Sequence, residues 1–134
     1  ETGLLSHGND MTLENNPIES GLDRFFKMGK AADYLGREAL ERIAEAGCTQ
    51  KMVRLVVQGD PVSNPREIYP IGITGTDLDG CVTSITYSPR LECNVGMGYV
   101  PSDHAEIGTE LTIRLPDGVL TGRIADKDWQ TGKG

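Results

Sequence analysis

The chain has 134 residues, which suffices for one ordinary domain or for one domain and part of another. Its formal net charge of -7 disfavours a nucleic-acid partner, and no apolar run approaches the roughly 20 residues that cross a bilayer, so we expect no membrane partner. The 17 glycines and few aromatic residues favour strands and turns over a helical bundle.

The first third of the chain predicts turns followed by one short strand. Turn signals occur at residues 8–10 (Gly-Asn-Asp) and 15–17 (Asn-Asn-Pro). Residues 21–27 predict a short strand because apolar and polar residues alternate there. Residues 27–32 are interpreted as a linker.

One main helix is predicted from Tyr34 to Ala46, with Asp33 as the capping residue and Gly47 ending it. Glu38 and Arg42 are spaced to form an i,i+4 ion pair on the exposed side. The apolar residues at helical spacing, which predict one buried stripe, are Leu35, Ala39, Leu40, Ile43 and Ala44.

After Cys48 the pattern changes to the two-residue alternation of strands. Asp79-Gly80 predicts a hairpin turn between the second and third strands, and residues 116–118 predict another before the last strand. Such short, turn-linked strands are typical of a small closed barrel or a sandwich. The six predicted strands lie at about 52–57, 68–74, 81–87, 94–100, 109–115 and 119–125.

The third and fourth of these strands form the most informative stretch, residues 83–101. Proline at position 89 separates the two strands. Gly96 and Gly98 fall on one face of the fourth strand. A strand with one bare face bends, or lets another backbone or a ligand approach closely.

A first candidate for chemistry is His7, which lies near four carboxylates in sequence: Glu1, Asp10, Glu14 and Glu19. Such a set could serve in acid–base catalysis or bind a metal ion. The spacing matches no ligand motif, so we interpret His7 as a turn residue beside capping carboxylates, and we predict no metal site.

Two further candidates have plainer interpretations. Residues 102–104 (Ser-Asp-His) contain the residue types of a hydrolase, but neighbours in sequence rarely reach triad geometry, and we interpret Ser102 as a helix cap. Residues 77–80 resemble the start of a calcium loop, yet Ser88 stands where the loop requires an acidic ligand.

The three cysteines, Cys48, Cys81 and Cys93, are widely spaced and include no Cys-x-x-Cys pair, which disfavours a structural zinc site. An odd number of cysteines without a signal sequence indicates reduced thiols and a cytoplasmic protein. We interpret them as small buried hydrophobic residues, with a reactive thiol as the alternative.

An ordered set of motifs resembles the C-terminal third of the folate-dependent aminomethyltransferase family, which contains the T-protein of the glycine cleavage system and related demethylases. The resemblance covers the chain to about Ala125. The motifs are E-T-G-L-L at 1–5, G-N-D-M at 8–11, N-P-I-E-S-G-L at 16–22, L-G-R-E-A-L at 35–40, V-T-S at 82–84, S-P-R-L at 88–91, N-V-G-M-G-Y-V-P at 94–101 and G-T-E-L at 108–111.

The resemblance implies a transferase that passes a one-carbon unit to tetrahydrofolate. T-proteins take an aminomethyl group from a lipoyl carrier protein, release ammonia and form methylenetetrahydrofolate. Relatives demethylate small molecules, namely sarcosine, dimethylglycine or dimethylsulfoniopropionate. The runs at 4–6 and 21–23 resemble the dimethylsulfoniopropionate demethylase branch, so the one-carbon donor stays open.

The resemblance also implies a division of the chain. Residues 1–48 would end the central folate-binding domain and include the connecting helix, and residues 49–134 would form the C-terminal six-stranded antiparallel β-barrel. The expected fold is therefore mostly β with one main helix, an α+β fragment in which the barrel is preceded by part of another domain.

The family's catalytic residues would lie upstream of Glu1, in a missing N-terminal part of the same protein, so this chain alone would be inactive. Glu1 is the one residue carried over as folate-binding. Three departures stand out: the family arginine two places before Glu1 is absent, His7 replaces a common tyrosine, and the tail lacks the usual proline-aromatic ending. A non-catalytic β-barrel binding module is the alternative from another class.

Overall fold

Six antiparallel strands close into a barrel in the computed structural model, which describes residues 1–26, 33–64, 67–73 and 76–132, with the backbone alone at 76–79. The barrel order is β1-β4-β3-β2-β5-β6. The expected mostly-β fold with a closed barrel is confirmed, in place of a sandwich. The strands are β1 Gln50–Val57, β2 Tyr69–Ile73, β3 Thr76–Ser88, β4 Cys93–Pro101, β5 Glu110–Leu115 and β6 Gly118–Ala125.

Closure of the barrel follows from β1, which pairs antiparallel with β4 on one side and with β6 on the other. Because every strand has two neighbours, the barrel has no edge strand open to further pairing. Alternate side chains point inward and form one apolar core. The core members that are fully buried are Leu55, Val57, Val82, Ile85, Val100, Leu111, Ile113 and Ile124.

The β3–β4 pair brings two backbones very close at the predicted glycines. A Cβ atom at Gly96 would lie 2.9 Å from the carbonyl oxygen of Ser84. A Cβ atom at Gly98 would overlap the carbonyl oxygen of Cys81 and lie 2.9 Å from Cα of Val82. The bare face predicted for β4 therefore lets the backbone of β3 approach, and no side chain fits there.

The hairpin turn predicted at Asp79-Gly80 is wrong, because both residues lie inside β3. Asp77 already pairs with Gly72 of β2, so the chain reverses between Ile73 and β3 rather than at Asp-Gly. The glycine serves close packing instead: a Cβ atom at Gly80 would lie 2.6 Å from the carbonyl oxygen of Tyr99. The calcium-loop alternative fails with the turn, since this backbone is extended.

The short strand predicted at 21–27 is also wrong. Residues Asp23–Phe25 form a 3-10 turn, in which the amide of Phe25 donates to the carbonyl of Leu22 at 3.0 Å. Phe25 is 72 % exposed, so its alternation with polar neighbours does not reflect burial against a sheet. The predicted linker, residues 27–32, lies outside the described residues.

The main helix, α1, spans Arg37–Ala46 and is one turn shorter than predicted. Gly36 occupies the N-cap position with φ 86°, and no side chain caps the helix, so the cap predicted at Asp33 is wrong. A turn from Tyr34 to Arg37, closed by a 3.2 Å backbone hydrogen bond, takes up the residues that the pattern assigned to the helix.

The side chains of α1 also differ from the pattern. The i,i+4 ion pair joins Arg37 to Glu41 at 2.8 Å, rather than Glu38 to Arg42. No residue of the helix is fully buried: the predicted apolar stripe is half-buried at Leu40, Ile43 and Ala44 and exposed at Leu35 and Ala39. The C-terminal prediction is confirmed, since Gly47 has φ 79° and its amide donates to the carbonyl of Ile43. No helix in the described part of the chain is long and apolar enough to span a bilayer.

Residues 1–22 contain no strand but are bonded to the barrel through buried polar groups. The hydroxyl of Thr83 donates to the carboxylate of Asp10 at 2.6 Å, and both residues are 3 % exposed. The side-chain amide of Asn9 donates to the carbonyl of Thr83 at 2.5 Å. Thr83 lies where the β3–β4 register shifts, so its backbone carbonyl is free to accept this bond. Further along, the hydroxyls of Ser20 and Tyr99 lie 2.9 Å apart.

Substituting Gly98 tests the close approach of the two strands. We expect Gly98→Ala to lower the free energy of unfolding by more than about 1 kcal/mol, and Gly96→Val or Gly98→Val by at least as much, because the backbone of β3 must move. Gly118→Ala is the matched control, since an added Cβ there meets nothing within 4 Å. Urea denaturation with an unchanged midpoint for Gly98→Ala would contradict this account.

A double-mutant cycle tests the docking of residues 1–22. We expect Asp10→Ala to destabilise the chain by roughly 1.5–3 kcal/mol, because hydrogen bonds to a buried charged group are strong. Combined with Thr83→Val, the two changes should show a coupling energy of at least about 0.5 kcal/mol. Strictly additive effects in chemical denaturation would show that the Asp10–Thr83 bond contributes nothing to docking.

Candidate functional site

The carboxylate of Glu1 lies against the turn that joins β3 to β4. One of its oxygens accepts a hydrogen bond from the hydroxyl of Ser88, and the other accepts one from Nε of Arg90 at 2.7 Å. Ser88 is 1 % exposed, and its hydroxyl oxygen also accepts the amide of Leu91, which fixes the turn. The Ser-Pro-Arg turn therefore presents two donors to one carboxylate.

These two hydrogen bonds favour the ionised form of the Glu1 carboxyl. The hydrogen bond from Ser88 and then that from Arg90 lower the pKa of the Glu1 carboxyl, because both favour the ionised form. Arg90 remains 64 % exposed and Glu1 34 % exposed at the side chain, so water screens this ion pair. Both carboxylate oxygens have protein partners, so the side chain of Glu1 anchors the beginning of the chain to the turn.

The main chain of Glu1 is held from the other end of the sequence. The indole nitrogen of Trp129 donates a hydrogen bond to the carbonyl oxygen of Glu1 at 2.8 Å. Trp129 is 7 % exposed and packs with Cys93 and Val95 on the outer face of the barrel. The sequence patterns assigned no role to Trp129 and missed this contact; the available signal was that it is the one tryptophan of the sequence.

Two grooves flank the docked N-terminal segment. One, with a volume of about 260 Å³, lies between residues 1–4 and the outer face of β3 and β4, next to Trp129. The other, about 320 Å³, lies between residues 3–24 and β1, and its polar lining includes Arg24, Arg54 and Lys127. Glu1 borders the first groove, with its carboxylate turned to Ser88 and Arg90.

The carboxylates near His7 in sequence have separate structural roles. Asp10 accepts the amide of Ser6 at 2.9 Å besides the bond from Thr83. Glu19 accepts the side-chain amide of Asn15 at 3.0 Å. His7 is exposed, and within the described ranges no three His, Cys, Asp or Glu side chains are grouped so as to hold a metal ion. The interpretation of these groups as capping carboxylates therefore agrees with the contacts of Asp10 and Glu19.

The Ser-Asp-His run at 102–104 forms a single 3-10 turn without triad geometry. The hydroxyl of Ser102 donates to the carbonyl of Cys48 at 2.5 Å, and His104 Nε2 lies 3.9 Å from the carboxylate of Asp103. The cap predicted at Ser102 is wrong, since Pro101 occupies the N-cap position without a side-chain bond. Ser102 instead ties the end of β4 to the segment before β1.

All three cysteines are in the thiol form, and they differ in burial. Cys93 is 5 % exposed beneath Trp129, and burial raises the pKa of its thiol, with the charge of Glu1 as a second cause. Cys93 therefore matches the buried hydrophobic role predicted for it. Cys48 and Cys81 are only half-buried.

Comparison with known proteins gives the family of this fold. A family model described as the glycine cleavage T-protein C-terminal barrel domain matches residues 50–128. The aminomethyltransferase of Symbiobacterium thermophilum is 36 % identical over 126 residues, covering 94 % of this chain and 33 % of that protein. The dimethylsulfoniopropionate demethylase DmdA of Ruegeria pomeroyi is 35 % identical over 130 residues, covering 97 % of this chain and 35 % of that protein.

A solved structure agrees with these relatives. The glycine cleavage system aminomethyltransferase T from Bartonella henselae matches with a TM-score of 0.80 and 27 % identity, covering 93 % of this chain and 35 % of that chain. This chain thus spans about a third of the length of the curated relatives it matches. Because the family model covers more than half of the sequence, the chain belongs to the glycine cleavage T-protein C-terminal barrel domain family.

Proposed function

We propose that this chain is the C-terminal part of a tetrahydrofolate-dependent aminomethyltransferase of the cytoplasm, which transfers a one-carbon unit to tetrahydrofolate. The observation that carries the proposal is the match along 94 % of this chain to about one third of an aminomethyltransferase. The same barrel in a glycine cleavage aminomethyltransferase supports it. By itself the chain would be inactive and would work joined to an N-terminal part.

The proposed division of labour follows the structure of the chain. Residues 1–48 would complete the central folate-binding domain and connect it to the barrel at 49–134. In support, β1 begins at Gln50, where the family match also begins. The docked segment 1–22 and the barrel are joined by buried bonds such as Asp10–Thr83, so movement of one would move the other.

We propose that the described residues would border a folate site that the upstream part of the protein completes. When bound, tetrahydrofolate would accept the one-carbon unit. Both oxygens of the Glu1 carboxylate are bonded to Ser88 and Arg90, so we propose that Glu1 supports the folate pocket by fixing the backbone beside it. The residues that move protons and hold the donor would lie upstream of Glu1.

A second candidate concerns the one-carbon donor. The 35 % identity to a dimethylsulfoniopropionate demethylase over 97 % of this chain favours a small sulfonium donor as the alternative to an aminomethyl group on a lipoyl carrier protein. Sarcosine or dimethylglycine is a further small-molecule donor within the same proposal. The barrel end of the protein does not choose among them, because the donor would bind upstream.

Fusion to the first two-thirds of the Symbiobacterium thermophilum aminomethyltransferase tests the proposal. We expect the fusion, and not the 134-residue chain, to release ammonia from an aminomethyl-lipoyl carrier only when tetrahydrofolate is present. The same fusion carrying Gly98→Val is the control for an intact barrel. A folded fusion without activity would instead favour a non-catalytic barrel module. Assaying the longest natural reading frame that contains this chain with dimethylsulfoniopropionate and sarcosine identifies the donor.

The pH dependence of the Glu1 contacts tests its supporting role. Because the pKa of Glu1 is lowered in the folded chain, its bonds to Ser88 and Arg90 stabilise docking at neutral pH and are lost as pH falls through a value below 4.5. We expect the emission of Trp129, the only tryptophan, to shift to longer wavelength in that window.

Two variants separate Glu1 from other acidic groups in this titration. Glu1→Gln has no carboxyl to titrate and should lose the shift, whereas Glu92→Gln, in the same turn and exposed, should keep it. Superimposable emission curves for wild type and Glu1→Gln would show that Glu1 does not hold the segment.

A further inference from the structure

Trp129 lies where the C-terminal tail crosses the beginning of the chain. We infer that Trp129 is a positioning residue, which holds the main chain at Glu1 on the barrel and so fixes the direction in which any preceding segment reaches it. This inference rests on the proposed function for its consequence in catalysis, while the contact itself stands on the geometry. The carbonyl of Glu1 accepts the indole N–H at 2.8 Å, across 128 positions of sequence.

The tail forms a turn that aims the indole ring at Glu1. Trp129 has φ 64°, in the left-handed region that non-glycine residues adopt at a cost. The carboxylate of Asp126 compensates by accepting the amides of Asp128 and Gln130, each at 2.8 Å. The amide of Asp126 in turn donates to the carbonyl of Gln130 at 2.8 Å. These three hydrogen bonds thus hold Trp129 in an unfavourable backbone conformation.

The ring of Trp129 also contacts Arg54 of β1, and Arg54 in turn lies beside the N-terminal segment. The guanidinium carbon of Arg54 lies 5.6 Å from the centre of the indole ring, within the range of a cation–π interaction. The same guanidinium lies beside Gly3: an added Cβ there would come within 2.5 Å of Arg54 Nη2. Arg54 is therefore layered between the tail and the beginning of the chain.

Two parts of the barrel and the C-terminal tail thus contact residues 1–3. The β3–β4 turn binds the Glu1 carboxylate, the tail binds the Glu1 carbonyl through Trp129, and β1 supports Gly3 through Arg54. Side chain and main chain are held independently, so both the place and the orientation of Glu1 are fixed. In the proposed enzyme, Trp129 would act on the folate pocket through Glu1 and would not contact the reacting groups.

NMR order parameters of the 134-residue chain test directly whether Trp129 restrains the main chain at residues 2–4. For the amides of Thr2, Gly3 and Leu4 we expect values near ~0.85 in wild type, falling below ~0.6 in Trp129→Ala. Trp129→Phe keeps an aromatic ring but loses the N–H donor, and it should give intermediate values. Val119→Ala is the control, since Val119 is 62 % exposed in the hairpin of β5 and β6.

The possible results separate clearly. Unchanged order at residues 2–4 in both Trp129 variants, or disorder there in wild type, would overturn the inference. Strand chemical shifts report whether the barrel stays folded; if Trp129→Ala unfolds it, Trp129→Phe decides, because a change confined to residues 2–4 supports the hold and no change refutes it.

A kinetic measurement distinguishes positioning from general stability. In the active fusion described above, Trp129→Ala should raise KM for tetrahydrofolate at least about threefold with a smaller change in kcat, and Trp129→Phe should recover part of the loss. Equal KM values in wild type and Trp129→Ala would overturn the link to the folate pocket. An inactive wild-type fusion would count against the proposed function alone, since the order parameters still decide the hold.

Discussion

The close pairing of β3 with β4 is the contact on which the rest of the molecule depends. Glycines at 96 and 98 let the two backbones approach to a distance that excludes any side chain. Glycines that leave one face of a strand bare let it bend, and six short strands need such bending to close into a barrel. The same pair provides the register shift at Thr83 and the turn at Ser88, which are two of the places where the N-terminal segment is bonded.

The N-terminal segment and the tail therefore depend on the barrel in a definite order. Neither contains a strand: the N-terminal segment is held by polar groups of the barrel, and the tail packs Trp129 against Cys93 and Val95. Asp10 is buried as a carboxylate only because Thr83 and the amide of Ser6 satisfy its oxygens. Trp129 adds apolar area against Cys93 and then a hydrogen bond to Glu1. The barrel thus fixes the position of Glu1 and of any segment joined before it.

Sequence patterns predicted the parts of this structure that depend on local periodicity. All six strands were predicted from alternating or extended runs between turn signals, although β3 begins five residues earlier than predicted, and the end of the helix follows from Gly47. The failures occurred where distant contacts decide: Asp79-Gly80 has turn chemistry, but it lies inside β3, between Asp77 and Cys81, which both pair with β2. The partners of Glu1 lie 87 and 128 positions away, a separation that no local pattern encodes. The family resemblance predicted the fold and the domain type, and it left Trp129 unassigned.

The contact between Glu1 and Trp129 also constrains the order in which the protein folds. A contact that closes almost the whole chain has a high entropic cost, so it forms after the barrel that brings its ends together. A ribosome makes the docking segment well before Trp129. A domain joined before Glu1 can therefore take its final position only after Trp129 has been made. Without Trp129 the Glu1 carboxylate would keep its bonds to Ser88 and Arg90, while the Glu1 carbonyl would lose its partner.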